Sequence, residues 1–272
     1  MEQLIDLNSY KIFVKTEGEG PPLLLIHSYW GSLLLFDDLA KAFSKTRKVI
    51  RIDLPGHGNS GTPPPGYRFD SFAGVLDELL KRLNIGGKVS IIGHSMGGYI
   101  AMAYADRFPE RIESLILMHS PIRSADNQSI KSRNREASLL VKGKRELLLQ
   151  VTVPSNFAPG HHGKMEKALE MVMNTSRQVT IDGALRSIEA MNHRSGYLKT
   201  LQKATFPILI IVGKYDKVYD AGEQLDDASQ IPRAEVLLLE YSGHIGFIEE
   251  PVKVLSRLKQ FLDQIPFPRI SR

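Results

Sequence analysis

The stretch Val89-Ser90-Ile91-Ile92-Gly93-His94-Ser95-Met96-Gly97-Gly98 reads as a short apolar strand, a sharp turn and the first residues of a helix. A serine at such a turn stands out over the sheet edge on a strained backbone, and the flanking glycines let strand and helix approach closely. The hydroxyl of Ser95 is therefore presented rather than packed. The next backbone N–H, that of Met96, falls at the positive end of the new helix, where it can meet the negative oxygen of a tetrahedral intermediate. This context makes Ser95 a candidate nucleophile.

A nucleophilic serine needs a base, and the base needs an orienting carboxylate. Pro207-Ile208-Leu209-Ile210-Ile211-Val212 is a continuous apolar run typical of a strand buried on both faces, and it ends in Gly213-Lys214-Tyr215-Asp216. Ala234-Glu235-Val236-Leu237-Leu238-Leu239-Glu240 reads as a further strand, followed by Tyr241-Ser242-Gly243-His244 and a helix beginning near Glu249-Pro251. Ser95, Asp216 and His244 thus leave the same edge of a parallel sheet, where such sheets bind ligands, in the chain order nucleophile, acid, base. Asp220 is a neighbouring alternative for the acid, and a loop-capping role is the alternative for Asp216 itself.

At this point the chain resembles the α/β-hydrolase fold superfamily, in particular its capped esterase, lactonase and cofactor-free haloperoxidase-like members. Four landmarks carry the resemblance: Leu23-Leu24-Leu25-Ile26-His27, Asp53-Leu54-Pro55-Gly56-His57-Gly58-Asn59-Ser60, the serine turn, and Gly243-His244 with Glu249-Glu250-Pro251 behind it. The resemblance implies a doubly wound, mostly parallel sheet with an inserted helical cap, and a Ser95–His244–Asp216 triad that works without a cofactor or metal. It also implies an oxyanion hole made by the N–H groups of Met96 and of Tyr29. Relatives normally carry glycine where this chain has Ser28, and a Cβ tolerates left-handed backbone poorly, so the loop is expected to take its own path here. Ser28 and Trp30 are the candidate substrate contacts; for Trp30, the one tryptophan, a core or cap contact is the alternative.

The same comparison narrows the chemistry. Relatives that open haloalkanes or epoxides place an aspartate at the Ser95 position. Carbon–carbon bond hydrolases usually have asparagine before the serine and tryptophan after the histidine, where this chain has His94 and Ile245. Enzymes making menaquinone precursors generally carry an arginine shortly after the nucleophile, where this chain has Tyr99. The expectation is hydrolysis of a small-molecule ester, lactone or thioester; the alternatives are a receptor-like binding protein on the same fold, or an acyltransferase or perhydrolase.

The remaining histidines read as structural. His57 lies in a Pro- and Gly-rich turn, His94 is expected to turn away from Ser95 toward sheet packing, and His161-His162 form a solvated loop or a weak metal contact. With 272 residues, 42% of them apolar, the chain suits one α/β domain with an insertion. The expected division is a first core part over 1–120, a helical cap over 121–202 and a second core part over 203–272. Cap residues Lys131, Arg133, Arg135, Lys142, Lys144 and Arg145 are read as solvated faces or an attractor for an anion. Met165, Met171, Met173 and Met191, with Leu139, Leu140, Leu147, Leu148 and Phe157, are expected to pack the cap, some of them lining the pocket. No apolar run approaches the roughly 20 residues of a bilayer span, and Met1-Glu2-Gln3-Leu4 lacks a signal-peptide pattern, so a cytoplasmic protein is expected. A net charge of +5 without a basic, aromatic-interleaved stripe suggests neither nucleic acid nor membrane as partner. The chain has no cysteine, which excludes thiol catalysis and thiolate metal sites.

Overall fold

The computed structural model describes residues 1–7, 9–161 and 165–265. Its strands are β1 (Glu2–Leu7), β2 (Tyr10–Glu17), β3 (Pro22–Ile26), β4 (Lys48–Ile52), β5 (Val89–His94), β6 (Ile112–Met118), β7 (Ile208–Gly213) and β8 (Ala234–Leu239). They form one sheet in the order β1-β2-β4-β3-β5-β6-β7-β8. From β4 to β8 every pairing is parallel, while β1 and β2 run antiparallel at one edge. The expected doubly wound, mostly parallel sheet is thus present, extended by an N-terminal hairpin.

The central strands are apolar on both faces because helices cover both sides of a parallel sheet. Leu23 to Ile26 and Ile208 to Val212 are buried along their whole length. The helices between the early strands are α1 (Asp37–Phe43), α2 (Phe69–Arg82) and α3 (Met96–Arg107). In α2, Phe72, Leu76, Leu79 and Leu80 recur at helical spacing and are buried. Five helices then lie between β6 and β7: α4 (Asn127–Val141), α5 (Arg145–Ser155), α6 (Glu166–Arg177), α7 (Ile181–Asn192) and α8 (Leu198–Gln202). The chain ends with α9 (Ala221–Ser229), α10 (Gly246–Glu249) and α11 (Pro251–Asp263), the last opened by a proline at its first position, where a missing N–H costs nothing.

The topology delivers the candidate side chains to one place. From β3 the chain moves outward to β4 and returns to β5 on the other side of β3, so the strand order reverses between β3 and β5. A ligand crevice lies outside the carboxyl ends of the strands at such a reversal. The loop Ser28–Gly31 follows β3, Ser95 follows β5, His119 follows β6, Asp216 follows β7 and His244 follows β8. Five strands ending at one edge therefore bring together residues that lie far apart in sequence.

Candidate active site

Ser95 occupies the one-residue turn between β5 and α3 with φ +52° and ψ −115°. For a residue with a Cβ this conformation costs about 1–3 kcal/mol and persists only where its surroundings fix it. They do so here: the Ser95 N–H donates to the Met118 carbonyl at 2.9 Å, and the Ser95 carbonyl accepts from Gly98 N–H at 2.9 Å and from Ser120 Oγ at 3.1 Å. The approach of α3 to the sheet also requires glycine, since a Cβ at Gly97 would lie 2.1 Å from the Ile26 carbonyl oxygen and one at Gly98 2.1 Å from Ser120 Oγ. Met96 opens α3, so its N–H is an unsatisfied helix-start donor beside Ser95.

His244 Nδ1 donates to Asp216 Oδ2 at 2.8 Å, and both residues are buried. The other carboxylate oxygen, Oδ1, accepts the backbone N–H groups of Val218 at 2.8 Å and Tyr219 at 3.1 Å. Burial alone would raise the Asp216 carboxyl, but His244, His119 and these backbone donors hold it below its ordinary value, which keeps it charged. Asp220 does something else: its Oδ1 caps α9 by accepting from Glu223 N–H at 2.9 Å. With Nδ1 committed to Asp216, Nε2 is the His244 nitrogen left for the cavity that His244 shares with Ser95.

Two further imidazoles hold the His244 loop from beneath. His94 Nε2 donates to the His244 carbonyl at 2.8 Å, so His94 is more than the sheet-packing residue expected from its place in the turn. His119, with φ +49°, accepts the Gly246 N–H on Nε2 at 3.1 Å. That leaves its proton on Nδ1, which lies 3.7 Å from Asp216 Oδ2. His119, Asp216 and His244 converge closely enough to suggest a cation site. Yet both nitrogens facing the carboxylate carry hydrogen, and this is a donor set for a carboxylate rather than a ligand set for a metal. His119 escaped the sequence reading although its place just past the strand Leu115–Met118 was a usable signal.

The helices between β6 and β7 also reach this loop. His244 N–H donates to the Asn156 carbonyl at 2.7 Å. Glu249, on α10, accepts from Gly243 N–H at 2.7 Å on Oε2, and on Oε1 from Ala158 N–H at 2.7 Å and His161 Nδ1 at 2.9 Å. His161 is thereby tied to a carboxylate; its neighbour His162 lies outside the described residues.

The loop after β3 is where the expected departure occurs, but the strain sits at Trp30 rather than Ser28. Gly31 N–H donates to the Ser28 carbonyl at 3.1 Å, closing a four-residue turn whose third residue, Trp30, has φ +57°. Glycine is the usual occupant of such a position. His27 supports the turn by donating from Nδ1 to the Ser28 carbonyl at 2.8 Å while its Nε2 accepts Leu54 N–H at 2.9 Å. From α4, Glu136 Oε1 accepts both Tyr29 OH at 2.8 Å and Trp30 Nε1–H at 2.9 Å. Burial raises the Glu136 carboxyl, against the opposing pull of Tyr29, Trp30 and Arg133.

Ser28, Tyr29, Trp30, Ser95 and His244 border one cavity of about 380 Å³. Met96 lies behind Ser95, and Asp216 behind His244. The far wall comes from α4, α5 and the residues after it: Gln128, Ser129, Ser132, Arg133, Glu136, Thr152, Ser155 and Asn156. Of the methionines expected to soften this wall, Met191 reaches it, whereas Met171 is exposed. The far wall is rich in polar side chains, which the sequence reading did not foresee, while Trp30, Met191 and Val218 give the same cavity apolar surface. Arg133 separates from the other cations of its segment: it is buried, borders the cavity and donates to Asn192 Oδ1 at 2.9 Å, while Lys131, Arg135, Lys142 and Lys144 are exposed.

The buried imidazoles set a pH limit on the fold. Burial lowers His27 to about 4 and His57 and His119 to about 3, from an ordinary 6.5. They are neutral when folded, whereas the unfolded chain takes up protons below 6.5, so their contribution is whole above that pH and is lost as pH falls toward 4 and 3. The melting temperature is expected to be flat above about pH 7 and to decline below 6.5, with a shallower decline in His119→Gln. A melting temperature unchanged between 6.5 and 4 would contradict the neutral assignment.

Comparison with known proteins follows the same lines. The family model described as alpha/beta hydrolase fold matches residues 21–251. Lipase 3 of Moraxella sp. is 27% identical over 247 residues, covering 90% of this chain and 78% of its own. Among solved structures, a thermophilic esterase from Thermogutta terrifontis superposes with a TM-score of 0.91 at 22% identity, covering 97% of this chain and 99% of its own. The enol-lactonase of Burkholderia xenovorans gives 0.89 at 23% identity, covering 96% and 100%. Among the described residues no helix is long and apolar enough to cross a membrane.

Proposed function

The chain belongs to the alpha/beta hydrolase fold family, and from that premise we propose that it is a serine hydrolase that cleaves a small carboxylic ester or lactone through an acyl-enzyme. The observation that carries the reading is the orientation of His244: Nδ1 is tied to a buried, charged Asp216, and Nε2 is left for the cavity that Ser95 borders. In the first half-reaction Ser95 Oγ attacks the acyl carbon, its proton passes to His244 Nε2, and the negative oxygen is met by the N–H groups of Met96 and Tyr29. His244 then gives that proton to the departing alkoxide. In the second half, His244 takes a proton from water, the hydroxide attacks the acyl carbon, and Ser95 leaves with the proton. Asp216 stays ionised and holds the imidazolium that forms in each half. The segment 121–202 serves in this reading as the cap that walls the acyl or alcohol pocket. Esterase and lactonase names among the similar proteins support the same class of reaction.

The hydroxyl and amide groups of the far wall, from Gln128, Ser129, Ser132, Thr152, Ser155 and Asn156, set the expected selectivity. A long alkyl chain in this cavity would strip water from hydroxyl and amide groups without giving them partners. Against p-nitrophenyl acetate, butyrate and octanoate, kcat/KM is expected to fall with chain length, with octanoate at least roughly tenfold below acetate. A preference for octanoate would overturn this account of the pocket.

A further inference from the structure

The oxyanion loop of this chain is fastened by the helix facing it across the cavity. Trp30 holds a positive φ that the turn demands and that a bulky side chain resists, so the loop needs support outside its own backbone. The support is unusually concentrated. One oxygen, Glu136 Oε1, takes the side-chain hydrogens of both Tyr29 and Trp30, at 2.8 and 2.9 Å. A carboxylate oxygen has the lone pairs for two such bonds, and charge-assisted bonds of this kind are stronger than neutral ones. The rings are themselves in contact, with centroids 4.9 Å apart, so Glu136 fixes them as a unit. A second strut from α6 meets the same residue: Ser176 Oγ lies 2.8 Å from the Trp30 carbonyl and 2.8 Å from its own helix's Val172 carbonyl, and shares one proton between them.

Resting on the serine-hydrolase reading above, we infer that Glu136 is a positioning residue that sets the oxyanion donor at Tyr29 by holding the Tyr29 and Trp30 side chains from α4. The N–H that must meet the oxyanion belongs to Tyr29, and a donor displaced by a fraction of an ångström loses most of its value in the transition state. Glu136 thereby takes over a task that glycine performs through its own conformational freedom elsewhere in such turns. Its contribution falls on the step in which charge develops, not on ground-state binding.

Three variants of the full chain test this: Glu136→Ala, Glu136→Gln and Ser176→Ala, each checked for folding by circular dichroism. In Glu136→Ala, kcat on p-nitrophenyl acetate is expected to fall by about tenfold to a hundredfold while KM changes less than about threefold. Phosphonylation by an alkyl fluorophosphonate, which also needs the oxyanion hole, is expected to slow in parallel. Glutamine keeps an acceptor oxygen in place, so Glu136→Gln is expected to restore kcat to within about threefold of the parent. Ser176→Ala is expected to show a smaller loss in the same direction. Because the chain has one tryptophan, the single indole N–H signal in a 15N spectrum reads the loop directly. It is expected to move toward the unbonded position in Glu136→Ala and to stay in Glu136→Gln. A raised KM with unchanged kcat would make Glu136 a substrate contact and overturn the proposal, as would an undisturbed indole signal in Glu136→Ala. If Glu136→Ala does not fold, an unchanged kcat and labelling rate in Ser176→Ala together with loss of activity in Glu136→Gln overturns it. Should Ser95→Ala keep the parent's activity, the reading beneath the proposal fails instead, an outcome none of the Glu136 results can imitate.

Discussion

Ser95→Ala is expected to lower turnover of p-nitrophenyl acetate by three orders of magnitude or more, on the order of what removal of a serine nucleophile costs elsewhere, while the protein stays folded. The hydroxyl is not part of the packing that holds the turn. The backbone of Ser95 is fixed by Met118, Gly98 and Ser120, and these bonds survive the substitution. An alanine keeps the Cβ and so keeps the strain of φ +52° without changing it. The melting temperature is expected to stay within a few degrees of the parent's. What remains after the loss is water attacking a substrate held by the pocket and the N–H donors. A folded Ser95→Ala protein with the parent's turnover would remove the serine mechanism outright.

Asp216→Asn is expected to reduce kcat by about 10³ to 10⁴-fold with KM little changed, and the geometry of the carboxylate says why. Oδ1 accepts two backbone N–H groups, from Val218 and Tyr219. An asparagine must place its carbonyl oxygen there, because an amide NH2 would face two donors. Its NH2 then occupies the Oδ2 position and points at His244 Nδ1. The imidazole answers by moving its proton to Nε2, the nitrogen that has to receive the proton of Ser95. The variant is thus intact in shape and wrong in tautomer. The same NH2 also meets the Nδ1–H of His119, whose proton is fixed by the bond from Gly246. A kcat within tenfold of the parent would show that Asp216 does not govern the tautomer of His244.

The parts of this arrangement that were legible in the sequence are those fixed by local chemistry. The apolar runs that became β3, β5, β6 and β7 are continuous because both faces are buried, and residues just beyond them were marked by glycine and by chain order. The N-terminal hairpin β1–β2 was not read. Its strands are broken up by charged residues, Glu2 and Asp6 in β1 and Lys11, Lys15 and Glu17 in β2, and its outer strand is half exposed, so it offers no long apolar run. Glu136 carries no signal in the sequence, because nothing within α4 says that this turn faces two aromatic rings more than a hundred residues away in sequence. The polar residues of the far wall were hidden for the same reason. Which face of a helix meets the site depends on how five helices dock, and the methionine content of the segment pointed the other way.

The ties between His244 and the helices after β6 bear on how such a protein changes over evolutionary time or in the laboratory. The His244 loop is bonded to Asn156 through its main chain, and through Glu249 to Ala158 and His161. Most of these partners are backbone atoms, so point substitutions within 145–161 leave them in place and the pocket wall is free to vary in side chains. Grafting the whole stretch from a relative is another matter: a chimera whose α5 ends half a turn earlier would leave His244 N–H and one side of Glu249 unpaired. Specificity in this scaffold is open to single-residue tinkering and closed to the exchange of modules.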